Sequence, residues 1–346
     1  MNLILPIVIF FISVILIALL VKYASRIGLV DVPNERSMHE RVVPRGAGLA
    51  FVSSVFLALL FFDLDYLLRY YYVYAAIAIV FIVGLWDDYR DISPKIKFIF
   101  IFFASLLLYL NDIAVFSLGV YFGYELILPS WLVFPFTFFA MAGYTNALNL
   151  MDGLDGLAAS ISMVIFVAFL AIGLQYKDEL LITLSSFFIA TLIAFLLFNW
   201  NPAKIFMGDS GSLALGMVVV ILSVKALEYI TPASVLFIMA LPILDTFIVM
   251  TRRIQRGISP FQADKNHMHH FLYNVKGDVK YTVMILTMMQ AIFSIIGYQV
   301  SQANNFISLI LFGLLFYIYL NLFDQRLKRR KKGETKEEYR ARRESQ

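Results

Sequence analysis

Clusters of polar residues interrupt this otherwise apolar sequence, and each of them lies beside or within an apolar run. The first cluster is the pair Asp87-Asp88, which ends the run that contains Gly84. Two adjacent carboxylates repel each other, and a helix dipole disfavours anions at the C-terminal end of the helix. A bound divalent cation would relieve both effects, and oxygen ligands suit Mg²⁺. A solvated helix end with Arg90 as counter-ion is the alternative interpretation.

Two further clusters combine carboxylates with glycines. Residues 149–156 read Asn-Leu-Met-Asp-Gly-Leu-Asp-Gly, and these glycines would let a ligand approach the backbone closely. Residues 199–212 include Lys204 and a Gly-Asp-Ser-Gly string that precedes an apolar run. Glycines before a helix N-terminus favour anion binding, although Asp209 and Ser210 could instead only cap that helix.

Histidines form the fourth cluster. Three of the four histidines in the chain, His267, His269 and His270, fall within four residues. Their spacing does not match the His-Glu-x-x-His pattern of zinc proteases. A basic, hydrogen-bonding loop that holds a diphosphate is an equally good interpretation, and a solvated loop is the third.

Two weaker candidates lie elsewhere. Residues 34–41 and 45–48 mix arginines, acids and glycines, which also fits a surface loop. Asp245 stands inside an apolar run, where an acid is either functional or a structural hydrogen-bond partner. Both interpretations of Asp245 stay open at this stage.

The composition indicates that these clusters belong to a membrane protein. Hydrophobic residues make up 61% of the 346 residues and charged residues 15%, whereas soluble domains carry roughly 25% charged residues. We therefore predict an all-α, polytopic membrane protein with eleven transmembrane helices. The predicted spans lie near 3–24, 46–62, 68–86, 97–112, 130–147, 155–174, 179–198, 211–227, 232–251, 281–299 and 304–323. Residues 113–129 are predicted to form an external hairpin or surface loop.

The distribution of Lys and Arg predicts the orientation. These residues concentrate in the loops after the first, third and ninth runs and in the C-terminal tail, so those segments are expected in the cytoplasm and the N-terminus outside. Residues 1–324 then form the membrane domain and residues 325–346 a charged cytoplasmic tail. The polar loop clusters all fall on the cytoplasmic face. A transporter or flippase, which is the alternative function, would more often show midplane charges and internal repeats.

Four of these motifs, in this order and approximate spacing, resemble those of the polyprenyl-phosphate N-acetylhexosamine-1-phosphate transferases of the MraY, WecA and TagO types. The motifs are Asp87-Asp88, residues 149–156, residues 206–212 and residues 267–270. The resemblance implies a membrane enzyme that transfers a sugar phosphate from a UDP-sugar to undecaprenyl phosphate and releases UMP. It also implies a requirement for Mg²⁺, with Mn²⁺ as a substitute.

The resemblance also implies roles for single residues. The catalytic group is Asp87, Asp88 and Asp209, and the expected metal ligands are Asp209, Asp88 and Asp152. The ring of Phe206 is expected beside the uracil, Lys95 and Lys97 near the lipid phosphate, and the histidines near the sugar and diphosphate. The full set of expected substrate-binding residues is Asn149, Asp152, Asp155, Asn201, Lys204, Phe206, Lys95, Lys97, His267, His269 and His270.

The sequence after the histidines bears on the sugar donor. MraY types typically continue as His-His-x-Glu-Leu-x-Gly-Trp, whereas here His270 is followed by Phe-Leu-Tyr-Asn-Val-Lys-Gly. This departure favours a WecA- or TagO-like enzyme that uses UDP-GlcNAc, although another UDP-amino sugar stays open. The expected partners are the UDP-sugar, undecaprenyl phosphate, the bilayer of the cell membrane and a second copy of the chain, with no nucleic acid. A non-catalytic membrane scaffold is a further alternative.

Overall fold

The computed structural model describes residues 4–33, 42–255, 257–259 and 267–322, and these residues are predominantly helical. The helices are α1 (Ile4–Ile27), α2 (Ala47–Phe62), α3 (Leu64–Arg69), α4 (Tyr71–Tyr89), α5 (Pro94–Tyr109), α6 (Ser130–Met151), α7 (Leu157–Tyr176), α8 (Glu179–Asn199), α9 (Asp209–Ala226), α10 (Pro232–Ile238), α11 (Ala240–Gln255), α12 (Met268–Lys276), α13 (Val279–Gln299) and α14 (Asn305–Leu322). Two antiparallel pairs complete the fold, β1 (Val30–Asp31) with β2 (Val43–Pro44) and β3 (Ser117–Tyr121) with β4 (Tyr124–Ile127).

The chain is a multi-pass membrane protein. Among the described residues, seven helices are long and apolar enough to cross a bilayer: α1, α4, α7, α8, α9, α13 and α14. The pair α10 and α11 brings the number to eight if it counts as one span. Every predicted run coincides with a helix or with this pair, but α2, α5 and α6 do not pass the same test. The count of eleven spans and the orientation of the termini therefore stay predictions.

Helix α9 forms the centre of the bundle. It is apolar on every side, and 89% of its spanning window is buried, whereas only 11% of the window of α14 is. A helix that is hydrophobic all round belongs in the interior of a helical assembly. Gly216 lets α6 approach closely, because a β-carbon on this residue would lie 2.7 Å from the Cα of Thr145. The N-terminus of α9 is therefore surrounded by other helix ends.

The predicted span over 232–251 consists of two helices, because α10 and α11 meet at an angle of 84°. Pro242 lacks an N–H group, and its ring excludes the carbonyl of residue 238 from the usual helical bond. The side chain of Gln290 on α13 satisfies the two freed groups. Its Nε2 donates to the carbonyl of Ile238 at 2.7 Å, and its Oε1 accepts from the N–H of Leu241 at 3.0 Å.

The hairpin predicted within residues 113–129 is confirmed. Strands β3 and β4 pair with Tyr121 opposite Tyr124, and the turn residues Phe122 and Gly123 have φ values of 52° and 85°. Positive φ at both central positions is typical of the two-residue turns that match the twist of a hairpin. The predictions for residues 34–41 and for the tail 325–346 fall outside the described residues.

Candidate active site

Asp88, near the C-terminus of α4, holds the start of α9. Its Oδ1 accepts from the N–H of Asp209 at 2.8 Å, and its Oδ2 accepts from both the N–H and the hydroxyl of Ser210. The N-cap residue itself is Gly208, with φ of 73°. The interpretation that Asp209 or Ser210 caps α9 is thus wrong, because the capping carboxylate comes from a different helix. A helix N-terminus favours a negative charge at this position.

Glycines allow the first turn of α9 to lie directly on two other helices. A β-carbon on Gly48 would lie 2.1 Å from the backbone nitrogen of Gly211, and one on Gly84 would lie 2.4 Å from the carbonyl oxygen of Asp209. Both distances are far below van der Waals contact, so no larger residue fits without a shift of backbone. A hydrogen bond of 3.1 Å from the N–H of Gly48 to the carbonyl of Met207 completes this contact.

Four of the predicted residues meet at the first residue of α9. Lys97 forms ion pairs with Asp87, at 2.9 Å, and with Asp209. Asn149 donates from its amide to the same oxygen of Asp209 at 3.0 Å. These side chains come from α4, α5, α6 and α9, so four helices contribute to one cluster. We name Asp87, Lys97, Asn149 and Asp209 the central cluster.

Arg45, which belongs to the weaker candidate segment 45–48, is a neighbour of the central cluster. Its Nε donates to the carbonyl of Asp88 at 3.0 Å, and its Nη2 donates to the carbonyls of Asp87 and Asp88. A cation at the C-terminus of α4 offsets the unfavourable helix dipole beside the two carboxylates. The contact joins residues 43 positions apart, so no spacing pattern in the sequence indicates it.

Other predicted residues hold the surrounding loops. Asp155 accepts from the amide of Asn201 at 2.8 Å and from the N–H of Ala203 at 3.0 Å, so two expected substrate-binding residues bind each other. Asn199 bridges the same two loops, since it accepts from the N–H of Gly156 and donates to the carbonyl of Ile205, each at 2.8 Å. Of the remaining expected contacts, Lys95 and Lys204 are exposed and Phe206 is half-buried.

The histidines lie against the turn between α6 and α7. A β-carbon on Gly153 would lie only 2.4 Å from Nε2 of His269, so the glycine makes room for the imidazole. The rings of His267 and His269 stack with centroids 5.6 Å apart, and those of His269 and His270 are 4.3 Å apart. Burial lowers the pKa of His269 to about 3, which keeps this ring neutral at physiological pH.

Asp152 occupies the same turn and is crowded by other acids. Burial raises its pKa, as do the negative charges of Asp209, Asp88 and Asp155, to about 7. Within the described residues, no three acid or histidine side chains are close enough together to form a metal-binding group. Mg²⁺, however, often uses only one or two protein carboxylates together with waters and substrate phosphates. Asp209, with Asp152 beside it, fits that kind of site, because a cation would relieve their repulsion.

A cavity of about 610 Å³ opens at the other end of α9, beside Lys225, Tyr229 and Asn305. The 18 residues of α9 rise by about 27 Å, which separates this cavity from the central cluster. The chemistry suggested by the motifs therefore concerns the N-terminal end of α9 and not this cavity.

Comparison with known proteins agrees with this arrangement. The sequence model of glycosyl transferase family 4 matches residues 70–227. The probable undecaprenyl-phosphate N-acetylglucosaminyl 1-phosphate transferase of Bacillus subtilis (strain 168) is 32% identical over 314 residues, which cover 89% of this chain and 88% of that protein. The undecaprenyl-phosphate alpha-N-acetylglucosaminyl 1-phosphate transferases of Yersinia pestis and Escherichia coli (strain K12) are 31% and 30% identical over 86% of this chain and 85% and 84% of their own lengths. With such identity over most of its length, and as its motifs predicted, the chain belongs to glycosyl transferase family 4, the family of the polyprenyl-phosphate sugar-1-phosphate transferases.

Proposed function

We propose that this protein transfers N-acetylglucosamine 1-phosphate from UDP-GlcNAc to undecaprenyl phosphate and releases UMP. The observation that carries this proposal is the central cluster, in which four helices bring two carboxylates, a lysine and an amide to the start of α9. The names of the relatives supply the acceptor and the sugar, and their transferase activity disfavours the transporter alternative.

The proposed step is a direct displacement at phosphorus. An oxygen of the lipid phosphate attacks the β-phosphorus of UDP-GlcNAc and forms a new P–O–P bond. The bond between that phosphorus and the bridging oxygen breaks, and UMP leaves with the electron pair. A phosphate monoester, with a second pKa near 6, is already mostly a dianion at pH 7, so the attack needs no strong base. Positioning and charge stabilisation therefore account for most of the catalysis.

We propose that Asp209 and Asp152 hold Mg²⁺, with Mn²⁺ as a substitute. When bound, the ion would neutralise the diphosphate and improve the leaving group. Asn149 orients Asp209 through its amide, and Lys97 supplies a positive charge between Asp87 and Asp209. The oxygens of Asp88 already accept three hydrogen bonds from the start of α9, so we assign Asp88 to positioning Asp209 and not to the metal.

The same proposal includes an orientation in the membrane. The acids and the histidines lie at the end of the bundle whose loops carry most of the Lys and Arg, which supports a cytoplasmic site in the cell membrane. Eleven spans, an external N-terminus and a cytoplasmic tail from residue 325 are the topology that follows. Association of two copies of the chain stays a prediction.

The test is release of UMP by the detergent-purified protein. We expect release from UDP-GlcNAc that requires both undecaprenyl phosphate and Mg²⁺ and that stops with EDTA. If UMP is released only from a different UDP-amino sugar, the proposed reaction class holds and the proposed donor is wrong. Background release from every UDP-sugar, by protein with a cooperative thermal transition, would reject the proposed function.

A further inference from the structure

We propose that Asp245 is a positioning residue that orients His267 and, through it, presents His269 to the turn that contains Asp152 and Gly153. Asp245 lies on α11 and is 1% exposed. The inference rests on the proposed function, because it assigns Asp245 a part in assembling that site. It concerns an acid that the transfer step itself does not use.

Both oxygens of the Asp245 carboxylate bind the start of α12. Oδ2 lies 2.7 Å from Nδ1 of His267, and Oδ1 accepts from the N–H of Met268 at 2.7 Å. A carboxylate buried in an apolar helix is costly unless each oxygen has a partner. Here both partners belong to one segment, the start of α12. The hydrogen bonds that stabilise the buried carboxylate therefore also hold this segment in position.

The arrangement repeats what Asp88 does at α9. In both cases a carboxylate from one membrane helix accepts N–H groups at the N-terminus of another helix. The helix that Asp88 holds begins with Asp209, and the helix that Asp245 holds follows directly on His267. Each of these two acids therefore places one sequence motif beside the site.

The hydrogen bond also selects the tautomer of His267. A carboxylate only accepts hydrogen bonds, so Nδ1 of the imidazole must carry the proton. In the neutral form of an imidazole that is protonated at Nδ1, the lone pair lies on Nε2. In Asp245→Asn, the side-chain oxygen must still accept from Met268, which turns the amide NH₂ toward His267. Nδ1 would then have to accept, and the proton would move to Nε2.

His267 contacts the site indirectly, through the ring of His269. His267 stacks on His269 at an interplanar angle of 11°, and His269 packs against Gly153. Nδ1 of His269 is buried and makes no hydrogen bond to any part of the chain that the structure describes. Rotation of His267 would displace the ring of His269.

The first test is a double-mutant cycle on UMP release with Asp245→Asn, His267→Gln and the double variant. We expect each single change to lower kcat by about 10- to 100-fold, the range typical of residues that orient others. Because Asp245 acts through His267, the double variant should be no slower than the slower single variant. Multiplicative losses would overturn the proposed connection, as would full activity in Asp245→Asn.

Asp178→Asn is the matched control. Asp178 is also a buried carboxylate that caps a helix, since it accepts from the N–H of Leu181 at 2.7 Å, but it lies at the other end of the bundle. We expect this variant to lower the melting temperature and keep kcat. An equal loss of kcat in Asp178→Asn and Asp245→Asn would show that Asp245 acts only through stability, and would overturn the proposal.

The second test measures the tautomer of His267 directly and does not depend on enzymatic activity. The chain has four histidines, so nitrogen NMR of histidine-labelled protein gives few signals, and the signals lost in His267→Gln identify that ring. We expect a protonated Nδ1 in the native protein and a protonated Nε2 in Asp245→Asn. An unchanged signal overturns the proposal. If no UDP-sugar releases UMP while the signal shifts as expected, the proposed function fails and the pairing of Asp245 with His267 stands.

Discussion

At each end of α9 lies a lysine that contacts two carboxylates. At the N-terminal end the lysine is Lys97, which lies 2.9 Å from Asp87 and also contacts Asp209. At the C-terminal end it is Lys225, whose two acids lie 3.5 and 2.6 Å away. The lysines are similarly accessible, with 21% and 23% of the side chain exposed. Their charge pattern and their burial are therefore alike.

The carboxylates around Lys225 and those around Lys97 differ in their other hydrogen-bond partners and in where they lie in the sequence. Glu228 at the C-terminal end is a local, exposed partner three residues from Lys225, and Asp178 caps its own helix α8 and accepts from the hydroxyl of Tyr229 at 2.8 Å. At the N-terminal end the acids come from segments that are distant in the sequence, and five of them lie near one another among the described residues. These acids are Asp87, Asp88, Asp152, Asp155 and Asp209, and Lys97 and Arg45 contact this group.

This difference distinguishes structural ion pairs, at the C-terminal end of α9, from the candidate active site at its N-terminal end. A lysine between two acids is found at both ends, so the pairing alone is no mark of function. A group of neighbouring carboxylates is costly unless a cationic ligand or the chemistry of a substrate compensates for their repulsion. These carboxylates lie where glycines bring the backbone of one helix onto another, at Gly48 and Gly84.

The largest expected effect comes from Asp209→Asn. The change keeps the size of the side chain and removes the charge that Lys97 and Asn149 both contact. We expect UMP release to fall on the order of 1,000-fold, the scale seen when one preorganised electrostatic contact in an active site is lost. The melting temperature should change little, because the backbone bond to Asp88 remains. Activity within a factor of three of the native protein would contradict the assignment.

Replacement of the two lysines tests the comparison directly. We expect Lys97→Met to lower UMP release by about 100-fold, because a positive charge beside the developing charge on phosphate is lost. Lys225→Met should leave the rate unchanged, because its partners lie at the opposite end of α9. Equal losses in the two variants, measured under saturating substrates, would remove the distinction between the two ends.

The close contact between the start of α9 and α2 predicts an effect on stability. In Gly48→Ala the new β-carbon would lie 2.1 Å from the backbone of Gly211, and we expect a loss of about 1–3 kcal/mol together with reduced activity. Gly313→Ala on α14 is the control, since a β-carbon there meets no atom within 4 Å. The control should be neutral or slightly more stable in a thermal melt, because alanine favours helix. A melting temperature of Gly48→Ala equal to that of the control would refute the tight contact.

The buried imidazole of His269 predicts a gradual pH dependence of stability. Burial lowers the pKa of His269 from 6.5 to about 3, so between these values the unfolded chain binds a proton that the folded chain does not. The contribution of His269 is then fully present above pH 6.5 and is lost as the pH falls toward 3. Between pH 6.5 and 3, we expect the native protein to lose at most about 1.4 kcal/mol per pH unit from this residue. His269→Gln should show a shallower decline between pH 7 and 5, and identical slopes would contradict the burial of a neutral ring.

The sequence by itself determined the class of the protein and its motifs, because these are local properties. Long apolar runs require a bilayer whatever their neighbours are, and each predicted run coincides with a helix or the bent pair. The hairpin at 113–129 was also predictable, since glycine and β-branched residues act within a few positions. The bend between α10 and α11 had a local signal in Pro242 that the prediction of a single span did not use.

Only the tertiary structure decided what each polar residue binds. The sequence groups Asp88 with Asp87, and Asp155 with Asp152, yet Asp88 holds α9 and Asp155 holds the loop of Asn201. Asp245 was equally consistent with function and with structure until its bond to His267 was seen. These contacts join residues between 22 and 122 positions apart. Separations of that size follow from how helices pack and where glycines let backbones touch, and neither is encoded in the spacing of residues along the chain.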